Sequence, residues 1–238
     1  MRILAISDAR NWSGYEKVVD QHEPDVIVLV GDLASDGFAD FWWEWMPQNR
    51  KQPMETRKGV HVDRFYQFLQ HAGKRARVLV IKGNHDEDFE NDYLPERISN
   101  IQGCEELSGK ATEIDGIRFL GLGFTETRYL RLLNPLIRDH KEKADIVLTH
   151  GMRLPLISSV NPKLIIKGGF SIGKCLVNQI PTVLTGGANH TIIGFEGGRS
   201  TGISQYVVDS DGKMSLWKGF GPTAWFSRYA WAKPYPEL

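Results

Sequence analysis

In Val78-Leu79-Val80-Ile81-Lys82-Gly83-Asn84-His85-Asp86 a short aliphatic run, the pattern of a buried strand, breaks at a glycine. Beyond the glycine an amide, an imidazole and a carboxylate enter one loop. Alone, this could be an Asx turn with a surface histidine. The arrangement recurs, however. Val26-Ile27-Val28-Leu29-Val30 runs into Gly31-Asp32, Asp145-Ile146-Val147-Leu148-Thr149 into His150, and Ile3-Leu4-Ala5-Ile6-Ser7 into Asp8. Four apolar runs that each end on a potential metal ligand are hard to explain by packing alone.

The chain has 238 residues, enough to bury a full core as one large domain or two small ones. Lys plus Arg and Asp plus Glu both total 29, so the formal net charge is zero. That balance argues against a nucleic-acid or anionic-membrane partner, although Arg128, Arg131, Arg138 and Lys141 could form a local basic patch. Cys104 and Cys175 are the only cysteines and have no metal-knuckle spacing, which fits a reducing, cytoplasmic setting better than a disulfide framework. The first residues read as a strand rather than a leader, and no apolar run reaches membrane-spanning length.

Along the chain, 2–7 is expected to be a strand, 15–22 a helix and 26–30 a strand, making a right-handed parallel βαβ unit. Ligand-bearing loops then fall at the carboxyl ends of the strands, where open α/β sheets place their sites. The segment 38–59 interrupts this rhythm with Phe41-Trp42-Trp43-Glu44-Trp45. It reads first as a helix packed on the body, with a substrate-facing cap or a subunit contact as the functional alternatives. Helices are expected over 60–71, 134–143 and 171–178, and strands over 77–81, 146–149 and 182–185. Asp115-Gly116 marks a hairpin within 111–122, and 191–217 reads as a meander turning at Gly197-Gly198 and Asp211-Gly212. The tail, 218–238, is rich in Trp, Tyr, Phe and Pro and is expected to strap onto the body or a neighbouring subunit. The segment 38–47 and this tail are the candidate homo-oligomer contacts.

The ordered loops are Asp8-Ala9-Arg10, Gly31-Asp32 with Gly37, Gly83-Asn84-His85-Asp86, Thr149-His150-Gly151 and Gly187-Ala188-Asn189-His190. Their order and residue types resemble the calcineurin-like metallophosphoesterases. Those carry Asp-x-His, Gly-Asp, Gly-Asn-His-Asp/Glu, a lone His after a strand, and Gly-His-x-His. The resemblance implies an α/β (α+β) fold, a four-layer αββα sandwich of two mixed sheets flanked by helices, formed by a single domain over 1–217. It implies one or two divalent ions, Mn²⁺ first, or Fe²⁺/Fe³⁺ or Zn²⁺, since mixed oxygen and imidazole donors suit these metals. It also implies hydrolysis of a small phosphate mono- or diester, possibly a nucleotide, by metal-activated hydroxide. By the same resemblance Asp32 bridges, Asp8 serves the first ion, and Asn84 and His150 serve the second. His85 would stand beside the scissile phosphate, with Asp86 orienting its ring.

Two departures are visible. Arg10 stands where the family has His, and a guanidinium has only donors, so it cannot ligate a metal. Arg10 could instead pair with Asp8 or hold phosphate. In the last motif, aligning 187–190 keeps His190 as a ligand and loses one imidazole to Ala188. The register 186–189 loses both but offers Asn189. Three outcomes remain open: two ions with the gaps filled, one ion beside Arg10, or a protein-binding scaffold with little chemistry. A further motif, Gly168-Gly169-Phe170-Ser171-Ile172-Gly173-Lys174-Cys175, nearly matches a phosphate-cradling loop opening a helix. Cys175 replaces the metal-binding hydroxyl there and no acidic strand end follows, so a plain glycine-rich turn is the better reading.

Overall fold

The computed structural model describes residues 1–9, 12, 14–33, 55–87, 95–150, 153–169, 173–185, 189–208, 214–216 and 232–234. Within these, the strands are β1 (Arg2–Ile6), β2 (Val26–Val30), β3 (Arg77–Ile81), β4 (Cys104–Glu106), β5 (Ala111–Ile114), β6 (Ile117–Leu122) and β7 (Ile146–Thr149). They continue with β8 (Leu164–Lys167), β9 (Gly173–Val177), β10 (Ile180–Leu184), β11 (Asn189–Glu196), β12 (Arg199–Val208), β13 (Met214–Leu216) and β14 (Ala232–Pro234). The longer helices are α1 (Tyr15–His22), α2 (Glu55–Ala72) and α3 (Leu130–His140).

Two mixed sheets result. One runs β13-β12-β11-β1-β2-β3-β4 and the other β14-β9-β10-β8-β7-β6-β5. β1, β2, β3 and β4 are mutually parallel, as are β6, β7, β8 and β10, while the flanking strands are antiparallel. The parallel strands are continuous apolar runs because both faces of each are covered. In β2, Val26, Val28 and Val30 face the other sheet, where they meet Ile146, Leu148, Leu164 and Ile166. Ile27 and Leu29 face outward, onto Tyr15, Val19, Phe65 and Phe68 of α1 and α2. The second sheet buries its outer face, Leu120, Val147 and Ile165, under Leu133 of α3 and Leu154, Ile157 and Val160. The layers are therefore helix, sheet, sheet, helix, as the resemblance implied.

Several elements differ from expectation. The described residues of 171–178 contain no helix: Gly173–Val177 is β9, paired antiparallel with β10 across Asn178-Gln179. Those two residues lie at φ 49° and 68°, a primed hairpin turn without the glycine that usually announces one. Among the described residues, a strand thus stands where a phosphate-cradling loop would need its helix. α2 starts at Glu55, earlier than its apolar periodicity suggests, and α3 starts at Leu130 and accommodates Pro135 internally. Asp115-Gly116 and Gly197-Gly198 both turn hairpins at positive φ. Most of the aromatic segment, 38–54, lies outside the described residues, as does the Asp211-Gly212 turn. Of the tail, only Ala232–Pro234 from position 218 onward is described, and it pairs with β9.

Under α1 and α2, Trp12 stacks on Phe68 with centroids 4.6 Å apart, and both are almost wholly buried. Truncating Phe68 removes a stacked partner and leaves a cavity. Phe68→Ala is expected to cost about 3–5 kcal/mol, read as a lower denaturation midpoint at unchanged m-value in urea.

Candidate metal centre

The carboxyl ends of β1, β2, β3, β7 and β8 meet at one place because glycine lets their backbones touch. A Cβ built on Gly31 would lie 2.3 Å from His150 Nδ1, and one on Gly83 would lie 2.2 Å from Asp32 Oδ1. A Cβ on Gly168 would sit 1.8 Å from the Val30 carbonyl oxygen. No side chain fits at any of the three positions. The two acidic residues that enter from β1 and β2 are both left-handed, Asp8 at φ 54° and Asp32 at φ 57°. Asp tolerates that region better than most residues, though at some cost in energy.

Asp8, Asp32 and His150 each offer a ligand atom, and these atoms lie within 4.8 Å of one another. All three side chains are buried. His150 Nδ1 donates to the Val30 carbonyl at 2.7 Å, which fixes the ring and turns Nε2 to Asp32 Oδ2 at 3.2 Å. With Nδ1 carrying the proton, Nε2 is free either to ligate or to take a second proton. Burial works against the charged ring, but Asp32, Asp8 and the Val30 carbonyl outweigh it and push His150 up to about 9. The imidazolium thus balances the carboxylates when no other cation does. Asp8 is held above the ordinary carboxylate range, chiefly by burial and also by Asp32, against the opposing pull of His150. Its Oδ2 accepts hydrogen bonds from Ser7 Oγ and, at 3.0 Å, from the Gly169 amide.

Asp86 is fully buried, and its carboxylate accepts three backbone amides. Oδ2 takes those of Asp32 at 2.7 Å and Gly83 at 2.8 Å, and Oδ1 takes that of Leu33 at 2.8 Å. To the expected role of orienting His85, the structure therefore adds that of tying the β2 loop to the β3 loop. Asn84 is half-buried and opens a helical turn, Asn84–Glu87, directly after Gly83. The side chains of His85 and Asn189 and the whole of Arg10, Gly187 and Ala188 lie outside the described residues.

His190 is not brought to the cluster. On β11 it pairs with Ile6 and shares that residue's helix-covered face, with its ring 6.3 Å from Tyr15 and 5.8 Å from His22. Burial, aided by His22, lowers its pKa to about 3, so it stays neutral. Among the described residues, a fifth loop at the cluster is Gly168-Gly169 after β8, whose Gly169 amide reaches Asp8. Ser7, Gly168, Gly169 and the buried Lys167 were not singled out from the sequence as parts of the centre. A signal for them existed, since Leu164-Ile165-Ile166-Lys167 is a further apolar run that breaks into glycines.

The donor chemistry fits a divalent cation: two buried carboxylates, a correctly tautomerised imidazole and an amide-bearing loop beside them. Comparison with known proteins agrees. The family model described as calcineurin-like phosphoesterase matches residues 1–167. Among curated proteins none matches. One crystal structure aligns at 16% identity and TM-score 0.58, covering 91% of this chain and 98% of the other. The crystal structure of TT1561 of Thermus thermophilus aligns at 16% identity and TM-score 0.55, covering 81% of this chain and 93% of that one. Vps29 of Chaetomium thermophilum aligns at 11% identity and TM-score 0.43, over 91% and 93%. At these identities the first two likenesses speak to the fold alone, while the family model, which spans most of the chain, settles membership. The chain belongs to the calcineurin-like phosphoesterase family.

Proposed function

We propose that the protein is a metal-dependent hydrolase of phosphate mono- or diesters. The observation that carries this reading is the buried Asp8–Asp32–His150 group, with His150 Nε2 turned inward by its bond to Val30. Asp32, Asn84 and His150 would hold a divalent ion, with Asp8 contributing its Oδ1. Such an ion, Mn²⁺ for preference, would polarise a phosphoryl oxygen and supply an activated water for in-line attack. His85, on the turn that follows Gly83, is assigned to the leaving oxygen, which it would protonate or stabilise. Asp86 holds the two loops in register so that these groups converge. The buried walls around the cluster lower the local dielectric and strengthen each of these interactions.

A second reading has specific support. Arg10 offers no lone pair, and the loop that reaches Asp8 presents Gly168-Gly169 where imidazole would be useful. A centre short of ligands could serve as a protein-binding surface instead.

Hydrolysis of bis(p-nitrophenyl) phosphate and p-nitrophenyl phosphate with added Mn²⁺ separates the two. Turnover that falls at least a hundredfold in Asp32→Asn, with the variant still folded by circular dichroism, is the expected result. Bound Mn²⁺ without turnover of either ester would favour the scaffold.

Mn²⁺ affinity should also depend on pH. His150 must lose its second proton to ligate, and that proton is held up to about 9. Apparent affinity is therefore expected to rise by ~tenfold per pH unit between pH 6 and 8. Calorimetry in buffers of different ionisation enthalpy should register about one proton released per ion. Affinity that is flat over this range would remove His150 from the ligand set.

A further inference from the structure

The loop after β6 adjoins the candidate centre on two sides. β6 and β7 are parallel, with Leu122 opposite Thr149, so their loops leave the sheet side by side. The His150 amide donates to the Leu122 carbonyl at 3.4 Å. The Phe124 amide donates at 2.9 Å to the carbonyl of Lys82, which directly precedes Gly83-Asn84-His85. The helical turn Phe124–Arg128 and the start of α3 are thereby fastened to both ligand-bearing loops. Arg153 stands three residues beyond His150, a span of at most about 11 Å between α-carbons. Its Nη2 donates to the Arg128 carbonyl at 3.3 Å.

This rim gathers cations around one ring. The Arg128 guanidinium lies 5.4 Å from the Tyr129 ring centroid, and the Arg131 guanidinium lies 5.6 Å from the same centroid. The aromatic ring thus orders two guanidinium groups. Arg75, Arg77 and Arg138 each hold a carboxylate, whereas among the described residues no carboxylate pairs with Arg128, Arg131 or Arg153. Glu126, the acid nearest to Arg128 in sequence, is turned inward instead. A Cβ on Gly123 would lie 2.7 Å from its Oε2, and one on Gly109 would lie 3.5 Å from its Oε1. Among the described residues the exposed large apolar side chains are Tyr129, Leu130 and Leu132, all in this one turn. Open guanidinium forks beside exposed apolar surface suit the capture of a phosphate on an organic body.

We propose that Arg128, Arg131 and Arg153 form a second anion-binding subsite at the rim of the metal centre, so that the preferred substrate is a phosphoester carrying a further phosphate group a few bonds from the scissile one. This rests on the phosphoesterase reading given under Proposed function and names the substrate class for it. The metal centre takes the scissile phosphoryl group, and the guanidinium groups take the second phosphate through paired N–H donors. The three arginines act on binding and selectivity, not on the bond that breaks.

Two chromogenic diesters test this in the presence of Mn²⁺: thymidine 5′-(p-nitrophenyl phosphate) and the same compound bearing a 3′-phosphate. Wild type is expected to favour the 3′-phosphorylated ester by roughly tenfold in kcat/KM, mainly through KM. In the double variant R128Q/R131Q that ratio is expected to fall to about one, and in Arg153→Gln to fall part of the way. Reading a ratio cancels any general loss of activity. Arg138→Gln removes a paired cation from the same helix and is expected to leave the ratio unchanged. A wild-type ratio near one, a ratio that survives both rim variants, or an equal fall in R138Q would overturn the proposal and leave the phosphoesterase reading intact. Should neither ester be turned over, that reading fails and calorimetry decides the subsite by itself. Thymidine 3′,5′-bisphosphate is then expected to bind roughly tenfold more tightly than thymidine 5′-monophosphate and to lose this advantage in R128Q/R131Q. Equal affinities in wild type would overturn the subsite. Short oligothymidylate identifies the source of the second phosphate: tighter binding than the bisphosphate supports the subsite with a nucleic-acid strand as its ligand, and equal binding supports it with a small bisphosphate.

Discussion

The Asp86 carboxylate is where the two halves of the centre are fastened together. It sits one residue beyond His85, on the loop after β3, yet two of its three amide donors, Asp32 and Leu33, belong to the loop after β2. A charged acceptor serving three buried N–H groups is worth more than the same number of neutral bonds, and breaking it would strand three donors away from water. That knot holds Asp32 in a left-handed conformation it would not adopt unaided. It also keeps Gly83 pressed against Asp32, so Asn84 and His85 leave the loop in a fixed direction. Everything proposed for the cluster presupposes this tie.

Much of this was legible from residues because the physics is local. A continuous aliphatic run such as 26–30 reports that both faces of a strand are covered, and it predicted the parallel, doubly covered core. Glycine followed by Asp, or by Asn-His-Asp, reported loops that touch. The loop after β8 escaped notice because its contribution is made by backbone: an amide on Asp8 and a carbonyl on Lys167 carry no side-chain signature. The last motif was sought at 187–190 because a histidine stands there. Strand parity decides otherwise, since His190 pairs with Ile6, and Ile6 faces the helices. Alternation along a strand could have flagged that placement, but only with the partner register in hand. The β9–β10 hairpin was missed because Asn178-Gln179 lacks the glycine that such a turn normally carries.

The electrostatics of the cluster follow from how little water reaches it. Asp8 and Asp32 are buried within ligand distance of each other, and two such charges cannot persist unless cations accompany them. Among the described residues the chain supplies a histidine whose charge can be given up, and beside it Lys167, tied to the peptide next to Asp8, whose pKa burial lowers. His150 can yield to an incoming metal by releasing a proton, and this makes the site responsive to acidity.

Gly169 lies at φ 111°, outside the range that residues with a β-carbon normally adopt. A side chain added there would have to reshape the strand exit and withdraw the amide from Asp8. The identity of residue 169 is therefore set by the path of the main chain, which only glycine follows without strain.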